Sequence, residues 1–101
     1  MANDAKLLRS LLFTLQSSGW KLSRIRDDEG STPLAHLSPS KARTEAVEAI
    51  TAVDAATVCV VNGDNATSFV FIVNDADGAE IVADYGNRIS DIVDTWLDNH
   101  D

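Results

Sequence analysis

The sequence predicts an α+β domain: a mostly antiparallel sheet of about five strands with helices packed against it, in the order α-β-β-α-β-β-β-α. Three observations carry this. Strand signals are dense between Thr57 and Tyr85, apolar stripes at helical spacing flank that stretch, and Ser38-Pro39 opens a helix between two groups of strands.

The strand-rich stretch holds Val58-Cys59-Val60-Val61, then Phe69-Val70-Phe71-Ile72-Val73, then Ile81-Val82-Ala83-Asp84-Tyr85. Asn62-Gly63-Asp64-Asn65 and Asn74-Asp75-Ala76-Asp77-Gly78 separate the three runs. β-Branched and aromatic residues bounded by Asn, Asp and Gly suit pleated, half-buried strands. The middle run is apolar without alternation, which predicts a central strand covered on both faces. Glu80 to Asp84 has a competing reading as a helical turn leading into the last helix.

In chain order, Asn3 or Asp4 is suited to cap a first helix whose stripe is Leu7, Leu8, Leu11, Leu12 and Leu15. Ser17-Ser18-Gly19 ends it, with Gly19 at the left-handed position after the helix. Phe13 lies beside the stripe and either widens the core face, the preferred reading, or makes a contact of its own. Trp20 to Arg26 reads as a strand with Trp20 and Leu22 inward and a break, of the kind a bulge makes, at Ile25. Asp27-Asp28-Glu29-Gly30 turns the chain, and Ser31 to Leu37 returns as a second strand that Pro33 demotes to an edge or to an extended loop. Ser38 caps the next helix and Pro39 takes its first position. Ala42, Ala46, Ala49, Ile50 and Val53 form its narrow stripe, and Lys41 and Glu45 pair on its surface. Asn87 is suited to cap the last helix, with Ile89, Ile92, Val93, Trp96 and Leu97 inward. Its outer side carries Asp91, Asp94 and Asp98, and an end unfavourable to Asp98 and Asp101 that a protonated His100 offsets.

The 101 residues make one domain, large enough for a core without metal or disulfide staples. The single cysteine, Cys59, allows no intrachain disulfide and reads as a buried thiol in a strand. Leu7 to Leu15 is broken by Arg9 and Ser10 and is not a secretion signal, and no run is long enough to cross a membrane. Together these place the protein in the cytoplasm.

Charge is uneven. The total is −8, but residues 1–26 carry a net +4 and residues 54–101 a net −9. An acidic balance argues against nucleic acid as a partner, because phosphate binding relies on cations that displace counterions. It serves solubility, and it also supplies an acidic face for a basic partner.

Motifs for chemistry are sparse. Placing Asp75, Asp77 and Gly78 in a calcium loop puts Val73 where a carboxylate is required, so the segment reads as a tight turn. His36, His100 and Cys59 are too dispersed for a zinc site, and no metal or cofactor is expected. The alternative reading is a small-molecule-binding domain or minor enzyme, with a cleft and acid-base site where His36 meets Asp84 and Tyr85 beside Gly86 if the two sheet edges met. Trp20 with Lys21, Arg24 and Arg26 makes a candidate stacking platform for nucleic acid, although Trp20 is more simply a core residue.

Residues 20–97 resemble a class of small proteins without assigned activity encoded on phages, prophages and plasmids of proteobacteria. The residues that carry this are Ala46-Val47-Glu48-Ala49-Ile50 with Ala52-Val53-Asp54-Ala55-Ala56-Thr57, then Phe69 to Val73 and Glu80 to Tyr85. The resemblance implies no site residues. It implies a setting in which small proteins act by binding and redirecting a host protein. The resulting expectation is a non-enzymatic protein-binding domain using Glu80, Asp84, Asp91, Asp94 and Asp98 as its surface. Mimicry of DNA phosphates is one variant of that expectation, and self-association through an edge strand is compatible with it.

Overall fold

A computed structural model describes residues 2–63, 66–73 and 81–100. The expected order is the observed one: α1 (Ala2–Ser17), β1 (Lys21–Asp27), β2 (Gly30–Pro33), α2 (Pro39–Thr51), β3 (Ala55–Asn62), β4 (Ala66–Val73), β5 (Val82–Tyr85) and α3 (Ser90–His100). The five strands form one sheet in the order β2-β1-β3-β4-β5, antiparallel at every pairing. The segment read as strand or helical turn is thus a strand over Val82–Tyr85. Among the described residues no helix is long and apolar enough to cross a membrane.

β3 and β4 pair without interruption from Ala55↔Val73 to Asn62↔Ala66. Along β3 the alternation is strict, with Ala56, Val58 and Val60 buried and the residues between them half-buried. On β4 only Val70 and Ile72 are buried. The expectation that Phe69 to Val73 is covered on both faces is therefore corrected. The three helices form a single layer on one face, α1 packed between α2 and α3. Phe69, Phe71 and Val73 lie half-buried on the other face, which none of the described helices covers. β4 is an interior strand, while the middle position belongs to β3.

α1 buries Leu8, Leu11, Leu12 and Leu15 completely. Asn3 and Asp4 lie inside its first turn rather than ahead of it, so neither occupies the cap position, which precedes the first helical residue. Its far end closes as the sequence suggests. Gly19 takes φ +95°, its N–H reaches the Gln16 carbonyl at 3.1 Å, and the Trp20 N–H reaches the Leu15 carbonyl at 3.0 Å. These paired bonds satisfy two carbonyls that the helix end leaves free, in the pattern that requires a left-handed residue. They also turn Trp20 into the core, where it is 7% exposed.

Phe13 corrects a second expectation. It is 56% exposed, on the outer side of α1 with the Arg43 guanidinium 5.1 Å from its ring centroid. The cation over the ring stands where core contacts were expected. Arg43 also donates to Gln16 Oε1, and Gln16 Nε2 donates to the Pro39 carbonyl at 2.9 Å, so the three tie α1 to the start of α2.

The break in β1 falls at Ser23, where the register slips between Leu22 and Arg24. The extra residue turns Leu22 and Ile25 onto the same buried face, which is why Ile25 looked out of phase. At the hairpin tip Asp27 Oδ1 accepts from the Glu29 N–H at 2.8 Å, closing a local turn. β2 is shorter than expected and ends at Pro33, after which Leu34 drops into the core. As Pro33 requires, β2 is an edge.

Ser38 caps α2, accepting from the Lys41 N–H at 3.4 Å, and Pro39 follows it. The buried stripe is Ala42, Ala46, Val47 and Ile50, with Ala49 and Val53 only partly covered. Asn87 does not cap α3. It is the first residue of a single 3-10 turn, Asn87–Ile89, that runs directly into the helix, and its carbonyl accepts from Ser90 Oγ at 2.9 Å. Trp96 Nε1 donates to Ser10 Oγ at 3.1 Å, joining α3 to α1 across a core that also holds Ile89 and Val93.

The two neighbours Leu12 and Phe13 offer a direct check. Leu12→Ala is expected to destabilise the protein by about 2–5 kcal/mol, because it opens a cavity in the helix layer. Phe13→Ala is expected to cost no more than about 1 kcal/mol, the worth of an exposed cation–ring contact. Urea denaturation of the two variants measures both.

Candidate functional site

The acidic surface is built where β5 meets α3. Asp91, Asp94 and Asp98 are exposed along α3 at the spacing that aligns them on its outer side. β5 carries a bulge at Ala83, since Phe71 pairs with Asp84 while Ile72 pairs with Val82. The bulge sets Tyr85 opposite Val70, on the helix-covered side, and Asp84 opposite Phe71, on the open side. Glu80 lies outside the described residues.

The structure thus divides the predicted surface. Asp91, Asp94 and Asp98 share one helix face with Tyr85 beneath them, while Asp84 faces the uncovered side of the sheet. Tyr85 is the joint between the two. Its hydroxyl donates to Asp94 Oδ1, and its backbone N–H donates to Asp84 Oδ1 at 2.9 Å. Sequence patterning placed Tyr85 in a strand but carried no sign of this bond, because the eight residues between Tyr85 and Asp94 follow no single helical or strand period.

The field of these carboxylates is visible in the tyrosine. The Tyr85 hydroxyl is held above its ordinary 10.0, first because Asp94 accepts its proton in a hydrogen bond, then through burial, then through the charges of Asp94, Asp84 and Asp98. A phenolate among them would meet only like charge.

The other candidate constellations do not assemble. His36 is exposed in the loop after β2, at one edge of the sheet, whereas Asp84 and Tyr85 lie on β5 at the other. Four strand spacings of ~4.8 Å separate those edges, so the conceived acid-base site is not formed. Lys21, Arg24 and Arg26 are exposed on β1, but Trp20 is buried and offers no ring for stacking. Cys59 is a free, half-buried thiol on the open face rather than a core residue. No group of residues that could hold a metal ion occurs among the described residues.

Two depressions bear on a small-molecule reading. One of about 600 Å³ is lined by Thr57 and Phe71 of the sheet together with Arg26, Asp27, Asp28, Glu29 and Asp54. A second, of about 420 Å³, lies under Trp20, Leu22, Leu37 and Ala42. Neither is lined by His36, Asp84 or Tyr85.

Comparison with family models, curated proteins and solved structures finds no match for this chain.

The chain has one tyrosine, so phenolate absorbance reports Tyr85 alone. Asp94→Asn is expected to bring its titration midpoint down towards the ordinary value, as followed in an alkaline ultraviolet titration. The sign for stability follows. What the bond contributes is fully present below the tyrosine's ordinary 10.0 and is lost as pH rises through the higher folded value.

Proposed function

We propose that this protein is a non-catalytic binding domain that takes a basic protein partner on the outer face of α3. One observation carries the reading: Asp91, Asp94 and Asp98 project together from a helix that Tyr85 and Trp96 anchor to β5 and α1. Carboxylates on an anchored helix keep their mutual spacing, so their attraction for a basic surface costs little ordering on binding. The opposed distribution of charge supports the same face, since the net +4 of residues 1–26 leaves the acids concentrated towards the other end of the chain.

A cytoplasmic setting accords with the lone free thiol. The resemblance to phage and plasmid proteins suggests a host protein as the target, and a nucleic-acid-binding host protein would suit acids spaced along a helix. Both are part of the proposal.

The test is capture of basic proteins from a bacterial lysate by the immobilised protein, compared with the combined variant Asp91→Asn/Asp94→Asn/Asp98→Asn. Capture by the parent is expected to weaken with added salt and to be lost in the variant, while the melting temperature stays within a few degrees. Equal capture by parent and variant removes the acidic helix from the function.

A further inference from the structure

The face of the sheet that no described helix covers has a pattern of its own. Register aligns Arg26, Thr57, Phe71 and Asp84 in one row across β1, β3, β4 and β5. The row beside it holds Arg24, Cys59 and Phe69. Arg24 and Arg26 are exposed on one flank, Asp84 is exposed on the other, and the half-buried Thr57, Cys59, Phe69 and Phe71 lie between. Alternation along the strands brings all seven to the same side.

We propose that this face is the interface of a two-fold homodimer. A two-fold axis running parallel to the strands, between β3 and β4, superposes each row on itself in reverse. Phe71 of one copy then packs on Thr57 of the second copy, and Phe69 packs on Cys59 of the second copy, large against small. Arg26 meets Asp84 of the second copy, and the same pair forms again on the far side. Sheets packed face to face are turned by about 30°, which displaces these flank partners by only ~4 Å along the strands, within reach of an arginine.

Charge chooses this occupant. A single strand of nucleic acid would find the aromatic rings and arginines favourable but would run its phosphates onto Asp84, on a chain of net charge −8. A second copy answers every charge in the row with its opposite. Asp91, Asp94 and Asp98 lie in the helix layer, away from this interface, so the repulsion between two acidic chains acts mainly at a distance. The proposal is independent of the role given to those aspartates.

The area sets the strength. The four strands of this face, β1, β3, β4 and β5, have 7, 8, 8 and 4 residues. At ~3.3 Å per residue and ~4.8 Å between strands, the face measures roughly 430 Å² per copy. The two faces together, roughly 900 Å², fall just short of the ~1,000 Å² at which specific interfaces begin, so the dimer is weak, reversible and concentration-dependent.

Sedimentation equilibrium of the intact protein, with single and paired charge reversals, tests this. The parent is expected to show a monomer–dimer equilibrium. Arg26→Asp or Asp84→Arg alone is expected to weaken it by about tenfold or more. The combined Arg26→Asp/Asp84→Arg variant is expected to recover most of the loss, because both residues are exposed and the swap rebuilds the pairs. Cys59 offers a second readout: its reaction with a thiol reagent should slow as parent concentration rises and should not slow in either single variant. A parent that stays monomeric across the concentration range overturns the proposal, as does a double variant no stronger than the singles. So does a monomeric parent that binds single-stranded oligonucleotide and loses it in Phe69→Ala/Phe71→Ala, which would give the face to nucleic acid.

Discussion

The uninterrupted pairing of β3 with β4, with only one of its faces covered by helix, is the constraint on which the rest of the molecule depends. Eight residues on each strand register without a slip, and every second residue of β3 from Ala56 to Val60 is buried. That alternation divides the chain into a dry side, where Val58, Val60, Val70 and Ile72 meet the helices, and an open side with Thr57, Cys59, Phe69 and Phe71. A slip by one residue would exchange the two sets, placing Phe69 and Phe71 against the tightly packed leucines of α1. Two bulges, at Ser23 and Ala83, adjust the flanking strands to this fixed pair.

The helix layer is held by packing and by three polar ties between different elements. Gln16 links Arg43 and Pro39, Trp96 links to Ser10, and Tyr85 links to Asp94. Each is worth on the order of 1 kcal/mol net, small beside the burial of the leucines and isoleucines. Their effect is on position. A side-chain bond that is satisfied only in one arrangement selects that arrangement among many with similar apolar contact. Tyr85 and Trp96 together fix how α3 lies, and hence where its aspartates point.

The two broad surfaces that result differ in kind. The outer face of α3 presents carboxylates of one sign on a helix, a surface suited to a partner of opposite charge. The open sheet face presents a mixed row, basic on one flank, acidic on the other and apolar between, and is complementary to itself. Asp84 belongs to the second surface and not the first, because the bulge at Ala83 turns it away from α3. Neighbouring residues of β5 therefore serve opposite sides of the molecule.

Much of the fold was legible in the sequence. Helical spacing at Leu8 to Leu15, the cap at Ser38-Pro39, the left-handed Gly19 and the β-branched runs of β3 and β4 are local signals, and local geometry follows from them directly. Asp91, Asp94 and Asp98 were also readable as one helix face, since three and seven residues separate Asp91 from the others along a single helix. What escaped the sequence depends on the number of layers. An apolar run such as Phe69 to Val73 looks the same whether helices cover one face or two, and Phe13 borders the α1 stripe whether or not another element packs there. The separation of His36 from Asp84 and Tyr85 and the row from Arg26 to Asp84 were decided only by strand order and register, and the bond from Tyr85 to Asp94 by how α3 packs beside β5. Strand pairing joins residues distant in the chain by hydrogen bonds that every backbone can make, so side-chain sequence determined the elements and tertiary packing determined which residues meet.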